Sequence, residues 1–482
     1  MDKYKKLISN TIIFAISTFS SKVLVFLLMP LYTRVLDTSA YGVTDLLMNT
    51  GNLLLPLVTL GVVNAIIRFG LDREIDKADV FSTGLRTILL GFLILVVAEP
   101  FIVPYMGPVL SLLDIQEDMF VQNIILIDAF VLMSSMRSLC SQFIRARGLV
   151  RLFAVDGILS TVTTIFFTVL FLVWLQMGVA GYILATICAD FLSVIFLFTT
   201  GKLHRFLKLR GISRGVSGRM LRYCVPLIPN TICWWITNTS SRYMVVAFLG
   251  SSYNGIFAAA NKVPALIILV SGIFMDAWQM SAVTEEKGRN KFFTRVFRSY
   301  NALIFMTAAF VIMFAKLITK ILVAPAYYEA WSFIPLLVVS TVFTCMVNFL
   351  GSIYMVEKKS MHSLATAVLG AVINVVLCLV WIPSLGVNGA ALASLVTYVA
   401  VFLVRAVDTR RYIRMNISYL RLVVNAVLLI GQAVLMIFEV PFWPVWQALL
   451  TALMVLLNFK EVLEGVRKIV SRRSSKKAGS RA

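Results

Sequence analysis

The sequence predicts an all-α polytopic membrane protein with about fourteen transmembrane helices. Of its 482 residues, 60% are hydrophobic and 14% are charged, whereas soluble domains are closer to half apolar and a quarter charged. Apolar windows of about 20 residues, long enough to cross the hydrocarbon core, recur along the chain. Lys and Arg concentrate between these windows, as in membrane proteins of many spans. The bilayer must therefore act as the solvent for most of the chain.

The apolar windows form two series separated by a basic stretch. The first series lies near 8–30, 40–67, 85–104, 121–143, 152–175 and 179–200. The second series lies near 223–249, 255–279, 300–323, 331–355, 363–383, 388–406, 421–439 and 442–459. We therefore expect an N-lobe at 1–200, a basic linker at 201–222, a C-lobe at 223–406, two extra helices within 407–459 and a basic tail at 460–482.

The net charge of +21 is explained by the distribution of basic residues. If both termini are cytoplasmic, all but seven of the 44 Lys and Arg lie on the cytoplasmic side or at cytoplasmic helix ends, as the positive-inside rule requires. The seven are Lys22, Arg34, Arg137, Arg242, Lys262, Lys316 and Lys320. We therefore predict a multi-pass protein with both termini in the cytoplasm, surrounded by membrane lipids and without a nucleic-acid partner.

Sequence patterns typical of enzymes and metal sites do not occur. The six cysteines show neither CxxC nor CxxH spacing, so they indicate neither a disulfide framework nor a zinc site. HExxH, GxSxG and phosphate-loop patterns are also missing. We expect a protein that is not an enzyme and that has no cofactor.

Two short patterns recur in the two halves of the chain. Residues 36–42 (LDTSAYG) and 249–255 (LGSSYNG) share the pattern L-x-[ST]-S-x-x-G. Residues 178–186 and 386–394 form a second pair at a similar sequence offset. Because each predicted lobe has an even number of helices, the lobes should be parallel repeats with a substrate site at their interface.

Charged residues inside the predicted spans mark a candidate binding site, since each costs about 2.5 to 3.5 kcal/mol at a helix centre. Four of them fall in the first two spans of the two series, and neighbouring asparagines share their helix faces at four- and seven-residue spacing. The candidate substrate-binding residues are Lys22, Asp45, Asn49, Asn52, Asn238, Arg242 and Lys262. This pattern predicts a cationic cavity that binds an anionic group. The alternative is a set of neutralised interhelical ion pairs that fix packing, with Arg242 and Lys262 directed outward.

Two acidic residues of the first series are candidates for ion coupling. Asp128 and Asp190 lie within predicted spans, where a carboxyl group can bind a proton or a sodium ion. Arg137 is a second candidate partner for Asp128, although nine residues of helix separate the two by about 13 Å along the axis.

Several segments resemble a known family. In the first half they are residues 19–24, Tyr41, Gly42 and 61–69 (GVVNAIIRF), and in the second half Ala330, Trp331, Lys358, Lys359, Asn374, Ile382, Pro383 and 386–391. On these residues the chain resembles the polysaccharide transporter branch, the Wzx-type lipid-linked oligosaccharide flippases, of the multidrug/oligosaccharidyl-lipid/polysaccharide exporter superfamily.

The resemblance implies two six-helix lobes and alternating access. It implies export of an undecaprenyl-diphosphate-linked oligosaccharide across a bacterial cytoplasmic (inner) membrane, for cell-surface polysaccharide biosynthesis, and makes polysaccharide assembly proteins candidate partners. Lys22 matches the first-helix cation of the related lipid II flippases, and Asp45 falls near their acidic position in the second helix.

Charge complementarity supports an anionic cargo. A diphosphate carries about two negative charges, comparable to the sum of about +2 over Lys22, Asp45, Arg242 and Lys262, and this charge would repel cationic drugs. A cation-coupled drug exporter of the same superfamily remains an alternative. Alternatives from other classes are an integral membrane polysaccharide polymerase or glycosyltransferase, and an assembly scaffold in the membrane.

Overall fold

A computed structural model describes residues 26–72, 74–112, 117–208, 210–284, 289–357 and 359–478. All regular secondary structure in these ranges is helical, because a helix satisfies its backbone N–H and C=O groups internally and lipid offers them no partner. The predicted all-α polytopic membrane class is confirmed.

The first of two compact units comprises Met1–Gly255. Its α-helices are α1 (Met29–Val35), α2 (Thr38–Val58), α3 (Val62–Gly70), α4 (Lys77–Ile102), α5 (Gly107–Leu112), α6 (Glu117–Ala146), α7 (Val150–Thr168), α8 (Gly178–Thr200), α9 (Arg214–Cys224) and α10 (Ile228–Leu249). A π-helical turn, Val169–Trp174, extends α7, and short 3₁₀ helices occupy Val103–Tyr105, Leu203–Phe206 and Val225–Leu227.

The second compact unit comprises Ile256–Ala482. Helix α11 (Ser251–Ala260) leads into it, and it contains α12 (Ala265–Thr284), α13 (Arg289–Met313), α14 (Ala315–Leu322), α15 (Ile334–Val356), α16 (Ser360–Leu385), α17 (Val387–Asp408), α18 (Tyr419–Ile437) and α19 (Trp443–Ala478). Its 3₁₀ helices are Pro325–Ser332 and Thr409–Arg411. The first unit therefore includes α9 and α10, which lie beyond the expected end of the N-lobe, and the lobe boundaries stay a prediction.

Ten helices of the described ranges are long and apolar enough to cross a membrane. They are Lys77–Tyr105, Gln122–Ala146, Val150–Trp174, Gly178–Thr200, Ser251–Gly272, Asn290–Met313, Ile334–Val356, Ser360–Leu385, Val387–Arg411 and Tyr419–Ile437. Helices α2 and α3 meet the same criteria only as a bent pair, and they make an eleventh span if the pair crosses the membrane once. The predicted spans near 223–249 and 442–459 correspond to α10 and α19, and most of the predicted span near 8–30 lies outside the described residues.

The bend between α2 and α3 depends on local backbone conformation. The two helices meet at 53°, and Leu60 and Gly61 at the junction have φ angles of 46° and 66°. Glycine adopts positive φ without steric cost, which makes Gly61 suited to this position. As a result α3 turns towards α9, and Ile66 packs in one apolar cluster with Met220 and Cys224.

The two copies of the seven-residue pattern contact each other at the start of α2 and α11. The hydroxyls of Ser39 and Ser251 are 2.6 Å apart. A Cβ atom on Gly42 would lie 2.0 Å from the Ser251 carbonyl oxygen, and one on Gly255 would lie 1.9 Å from the carbonyl oxygen of Thr38. The glycine of each copy therefore allows the backbone of the other copy to approach, in a reciprocal arrangement.

Candidate functional site

Two of the predicted site residues form a part-buried ion pair within the first unit. Nη1 of Arg242 on α10 donates to both carboxylate oxygens of Asp45 on α2, and its distance to Oδ2 is 2.5 Å. The side chains of Arg242 and Asp45 are only 17% and 9% exposed. Each charge thus neutralises the other. Asp45 is in an interhelical ion pair, as the alternative expected, whereas Arg242, which that alternative directed outward, is the other member of the pair.

Polar contacts next to this pair join α2 to α10. The indole N–H of Trp235 donates to the backbone oxygen of Asn49 at 3.1 Å, and the hydroxyls of Thr50 and Tyr243 are 2.7 Å apart. The rings of Trp235 and Tyr243 are 5.6 Å apart. The side chain of Asn49 itself donates to the backbone oxygen of Asp45 at 2.7 Å. These contacts fix the rotation of both helices and hence the position of the ion pair.

The remaining predicted substrate-binding residues lie elsewhere. Asn52 on α2 and Asn238 on α10 are exposed, and the Asn238 side chain donates to the Trp234 backbone oxygen at 2.6 Å. Lys262 is half-buried in the turn that separates α11 from α12, in the second unit. Lys22 lies outside the described residues.

A second ion pair joins α6 to α8. Nη1 of Arg137 donates to Oδ1 of Asp190 at 2.9 Å, with the two side chains 31% and 5% exposed. The Ser134 hydroxyl donates to the other carboxylate oxygen of Asp190. Ser134 and Arg137 are three residues apart, so they share one face of α6. Arg137 therefore pairs with Asp190, whereas the sequence had suggested Asp128 as a candidate.

Asp128 contacts an acidic residue that the sequence reasoning did not select. Its carboxyl group lies beside that of Glu99 on α4, and its Oδ1 is buried without a hydrogen-bond partner in the described residues. The signal that could have identified Glu99 is its place as the single acid of the apolar stretch 85–104.

No metal site is evident within the described ranges. No group of three or more His, Cys, Asp or Glu side chains there is arranged to hold an ion.

The sequence of this chain matches a known protein family. A family model described as polysaccharide biosynthesis protein matches residues 7–280, more than half of the chain. No curated protein sequence matches the chain. The family resemblance predicted from the sequence is confirmed.

Solved structures with the same fold are membrane transporters. The lipid II flippase MurJ in an inward closed conformation matches with a TM-score of 0.69 at 13% identity, over 95% of this chain and 100% of that chain. An inward-facing multidrug resistance MATE family transporter of the MOP superfamily matches with a TM-score of 0.61 at 15% identity, over 82% and 98%. A MOP superfamily transporter from Pyrococcus furiosus matches with a TM-score of 0.53 at 14% identity, over 84% and 95%. At these identities the likeness shows the fold.

Proposed function

Because this chain belongs to the polysaccharide biosynthesis protein family, we propose that it is a flippase for an undecaprenyl-diphosphate-linked oligosaccharide. It would move this lipid from the inner to the outer leaflet of a bacterial cytoplasmic membrane by alternating access, with both termini in the cytoplasm. The chain would act as a transporter and not as an enzyme, since its structural neighbours are transporters and flippases. Polysaccharide assembly proteins are candidate partners.

The observation that carries this proposal is the part-buried Asp45–Arg242 pair. Replacing a buried ion pair with apolar side chains is often neutral or stabilising, so helix packing alone does not call for one. Ionisable groups within membrane spans usually mark the path of a substrate or an ion. The pair lies within the part of the chain that matches the family model.

The chemistry of the pair suits a phosphate-bearing cargo. The planar guanidinium of Arg242 presents paired N–H donors that match phosphate oxygens as well as carboxylate oxygens. In the substrate-free protein Asp45 holds this donor set in place. An incoming diphosphate, with about two negative charges, would repel the Asp45 carboxylate and replace it on Arg242.

The other predicted site residues complete the proposal. Lys22 and Lys262 would add positive charge around the diphosphate, and Asn49, Asn52 and Asn238 would offer uncharged contacts to the sugar. The prenyl chain would stay in the lipid, where each of its CH₂ groups is stabilised by about 0.8 kcal/mol. Asp128, which lies beside Glu99, and Asp190 remain the candidates for a coupling proton or sodium ion.

The test is a flipping assay in proteoliposomes with a labelled prenyl-diphosphate sugar. Arg242→Gln and Lys22→Ala should each slow flipping by about tenfold or more, which corresponds to 1.4 kcal/mol. Lys320→Ala, which removes an exposed cation, is the matched control and should flip normally. Proton, sodium and voltage gradients imposed in separate runs identify the driving force.

Unchanged flipping in both Arg242→Gln and Lys22→Ala, at equal amounts of folded protein, would contradict the proposed site. Efflux of a cationic dye that requires Asp190 would favour a drug exporter. Joining of sugar units by the purified protein would favour a polymerase or glycosyltransferase. Absence of flipping by the unchanged protein in these proteoliposomes would fit a scaffold whose flipping activity belongs to another protein.

A further inference from the structure

A basic cavity of about 480 Å³ opens in the first unit, separate from the Asp45–Arg242 pair. Its volume lies in the range of small-molecule binding sites. It is lined by Arg68, Phe69, Asp72, Ile75, Arg219, Arg222 and Tyr223. Three arginines and one aspartate give this lining a net charge of about +2 at neutral pH.

The bend after α2 creates the cavity, since it places the end of α3 beside the end of α9. The guanidinium of Arg68 lies 4.4 Å from the centre of the Tyr223 ring, and the Phe69 ring meets the Tyr223 ring edge-on at 6.2 Å. A cation over an aromatic face is held by the ring quadrupole. One wall of the cavity is therefore packed and ordered.

The sequence of α9 directs its arginines towards the cavity. Val216, Met220 and Cys224 recur at four-residue spacing and are buried against the first unit. Arg219 and Arg222 are three residues apart and both exposed, so they occupy one polar face of the same helix. The buried side of α9 thus fixes the direction in which these two cations point.

Asp72 offsets only one of the three arginine charges of the cavity. Among the described residues, Arg68, Arg219 and Arg222 form no ion pair. Lys208 in the same unit differs, because it contacts Asp76 at 2.6 Å and Asp79 at 2.9 Å. The cavity therefore has an excess of positive charge that an anionic ligand would balance.

The cavity lies at the edge of the membrane-spanning region. Helix α3 ends at Gly70, and α10, which covers the span predicted near 223–249, starts at Ile228, four residues after α9 ends. The basic linker 201–222 belongs to the side that the positive-inside rule assigns to the cytoplasm. A lipid substrate synthesised in the cytoplasm presents its phosphate groups at this depth.

We propose that this cavity binds the diphosphate group of the lipid-linked substrate on the cytoplasmic side, before the substrate reaches the Asp45–Arg242 pair. The assignment rests on the proposed flippase function. A diphosphate with about two negative charges balances the lining, whereas the phosphodiester of an ordinary anionic phospholipid has one. Two arginine forks on one helix face can each take one phosphate group in bidentate fashion.

The test measures equilibrium binding by the full chain in nanodiscs made of phosphatidylcholine. The probes are inorganic diphosphate and a short water-soluble prenyl diphosphate, titrated calorimetrically. All titrations use an Arg242→Gln background, which weakens the other proposed phosphate site by removing its guanidinium. The double variant Arg219→Gln/Arg222→Gln should bind both probes at least tenfold more weakly, whereas Arg214→Gln should bind them like the background protein.

Arg214→Gln is a matched control because Arg214 is exposed on α9 and does not line the cavity. Equal affinity of the double variant and this control would overturn the proposal. Loss of diphosphate binding when phosphatidylglycerol is included in the discs would also overturn it, since the cavity would then be a phospholipid site. The flippase proposal is tested separately, by the flipping assay. The titrations measure binding only, so their result does not depend on whether the Arg242→Gln background transports.

Discussion

Two arginines with little exposure to solvent, one in each compact unit, are stabilised in different ways. Arg242 in the first unit is paired with the carboxylate of Asp45. Arg405 in the second unit is 2% exposed and donates to uncharged groups: to the Thr366 hydroxyl at 3.0 and 2.8 Å, and to the Val347 backbone oxygen at 2.9 Å. One guanidinium thus contacts a carboxylate, which in the proposed mechanism a diphosphate would replace, and the other contacts only uncharged groups of the packed helices.

The surroundings of Arg405 support a structural role. A Cβ atom on Gly351 would lie 2.8 Å from Nη1 of Arg405, so the guanidinium rests against a position that lacks a side chain. The Tyr354 ring lies 5.5 Å from the guanidinium, and its hydroxyl donates to Asp408 at 2.7 Å. Arg405 therefore connects α15, α16 and α17 through uncharged groups, whereas Arg242 connects α10 to the carboxylate of Asp45 on α2.

The largest expected effect on stability is that of Arg405→Leu. This change leaves the Thr366 hydroxyl and the Val347 carbonyl buried with fewer partners, and we expect a loss of about 4 kcal/mol in the free energy of unfolding. Thermal unfolding in detergent measures it. Arg414→Leu, at an exposed position, is the control, and equal unfolding temperatures of the two variants would contradict a structural role for Arg405.

An intermediate effect is expected at the Asp45–Arg242 pair. Asp45→Asn and Arg242→Gln each leave one buried charge without its partner, whereas the double variant removes both charges. The double variant should therefore be more stable than the sum of the single effects predicts, by about 2 kcal/mol. A double-mutant cycle on the free energy of unfolding gives this coupling, and additive effects would show that the two charges do not interact.

The smallest effect is expected at an ion pair in solvent, between Asp76 and Lys208. Asp76 is 54% exposed, and the ammonium of Lys208 and the Ala78 backbone N–H lower the pKa of its carboxyl group below the ordinary value of 3.8. When the pKa is lower in the folded state, the stabilisation is complete above the ordinary, unfolded-state pKa. It is lost as the pH falls through the folded-state pKa.

Asp76→Asn should therefore reduce the unfolding temperature slightly near neutral pH, and the difference from the unchanged protein should shrink below about pH 4. Unfolding temperatures measured across this range, at low and high salt, test the expectation. A difference that stays constant as the carboxyl group becomes protonated would assign the effect to the helix cap of α4 and not to the charge.

Much of the fold follows from local properties that the sequence displays. The apolar windows predicted a polytopic helical protein because any segment in lipid must be apolar outside and hydrogen-bonded within. The repeated seven-residue pattern also reflects a physical need, since Gly42 and Gly255 each face a backbone atom about 2 Å from where a Cβ would be. The sequence did not reveal that the two copies touch each other.

The candidate site was predicted only in part. Asp45 and Arg242 were selected as charges inside spans, but their pairing joins residues 197 positions apart and depends on the rotation of α2 against α10. The partner of Arg137 was not predicted for the same reason. It is Asp190 on α8, and not Asp128, which lies on the same helix as Arg137. Glu99 was missed because acidic residues are common near helix ends. Only the structure shows that a second carboxyl group lies beside it.

The sequence by itself determined that the protein lies in a membrane, the approximate positions of its helices, its family and which charged residues fall within the spans. These depend on composition and on spacing along one helix, which a single chain segment contains. Only the tertiary structure decided which charges neutralise each other, and that the bend at Gly61 brings Arg68 to the arginines of α9. These depend on distances between helices, which arise only when packing fixes the rotation and neighbours of each helix.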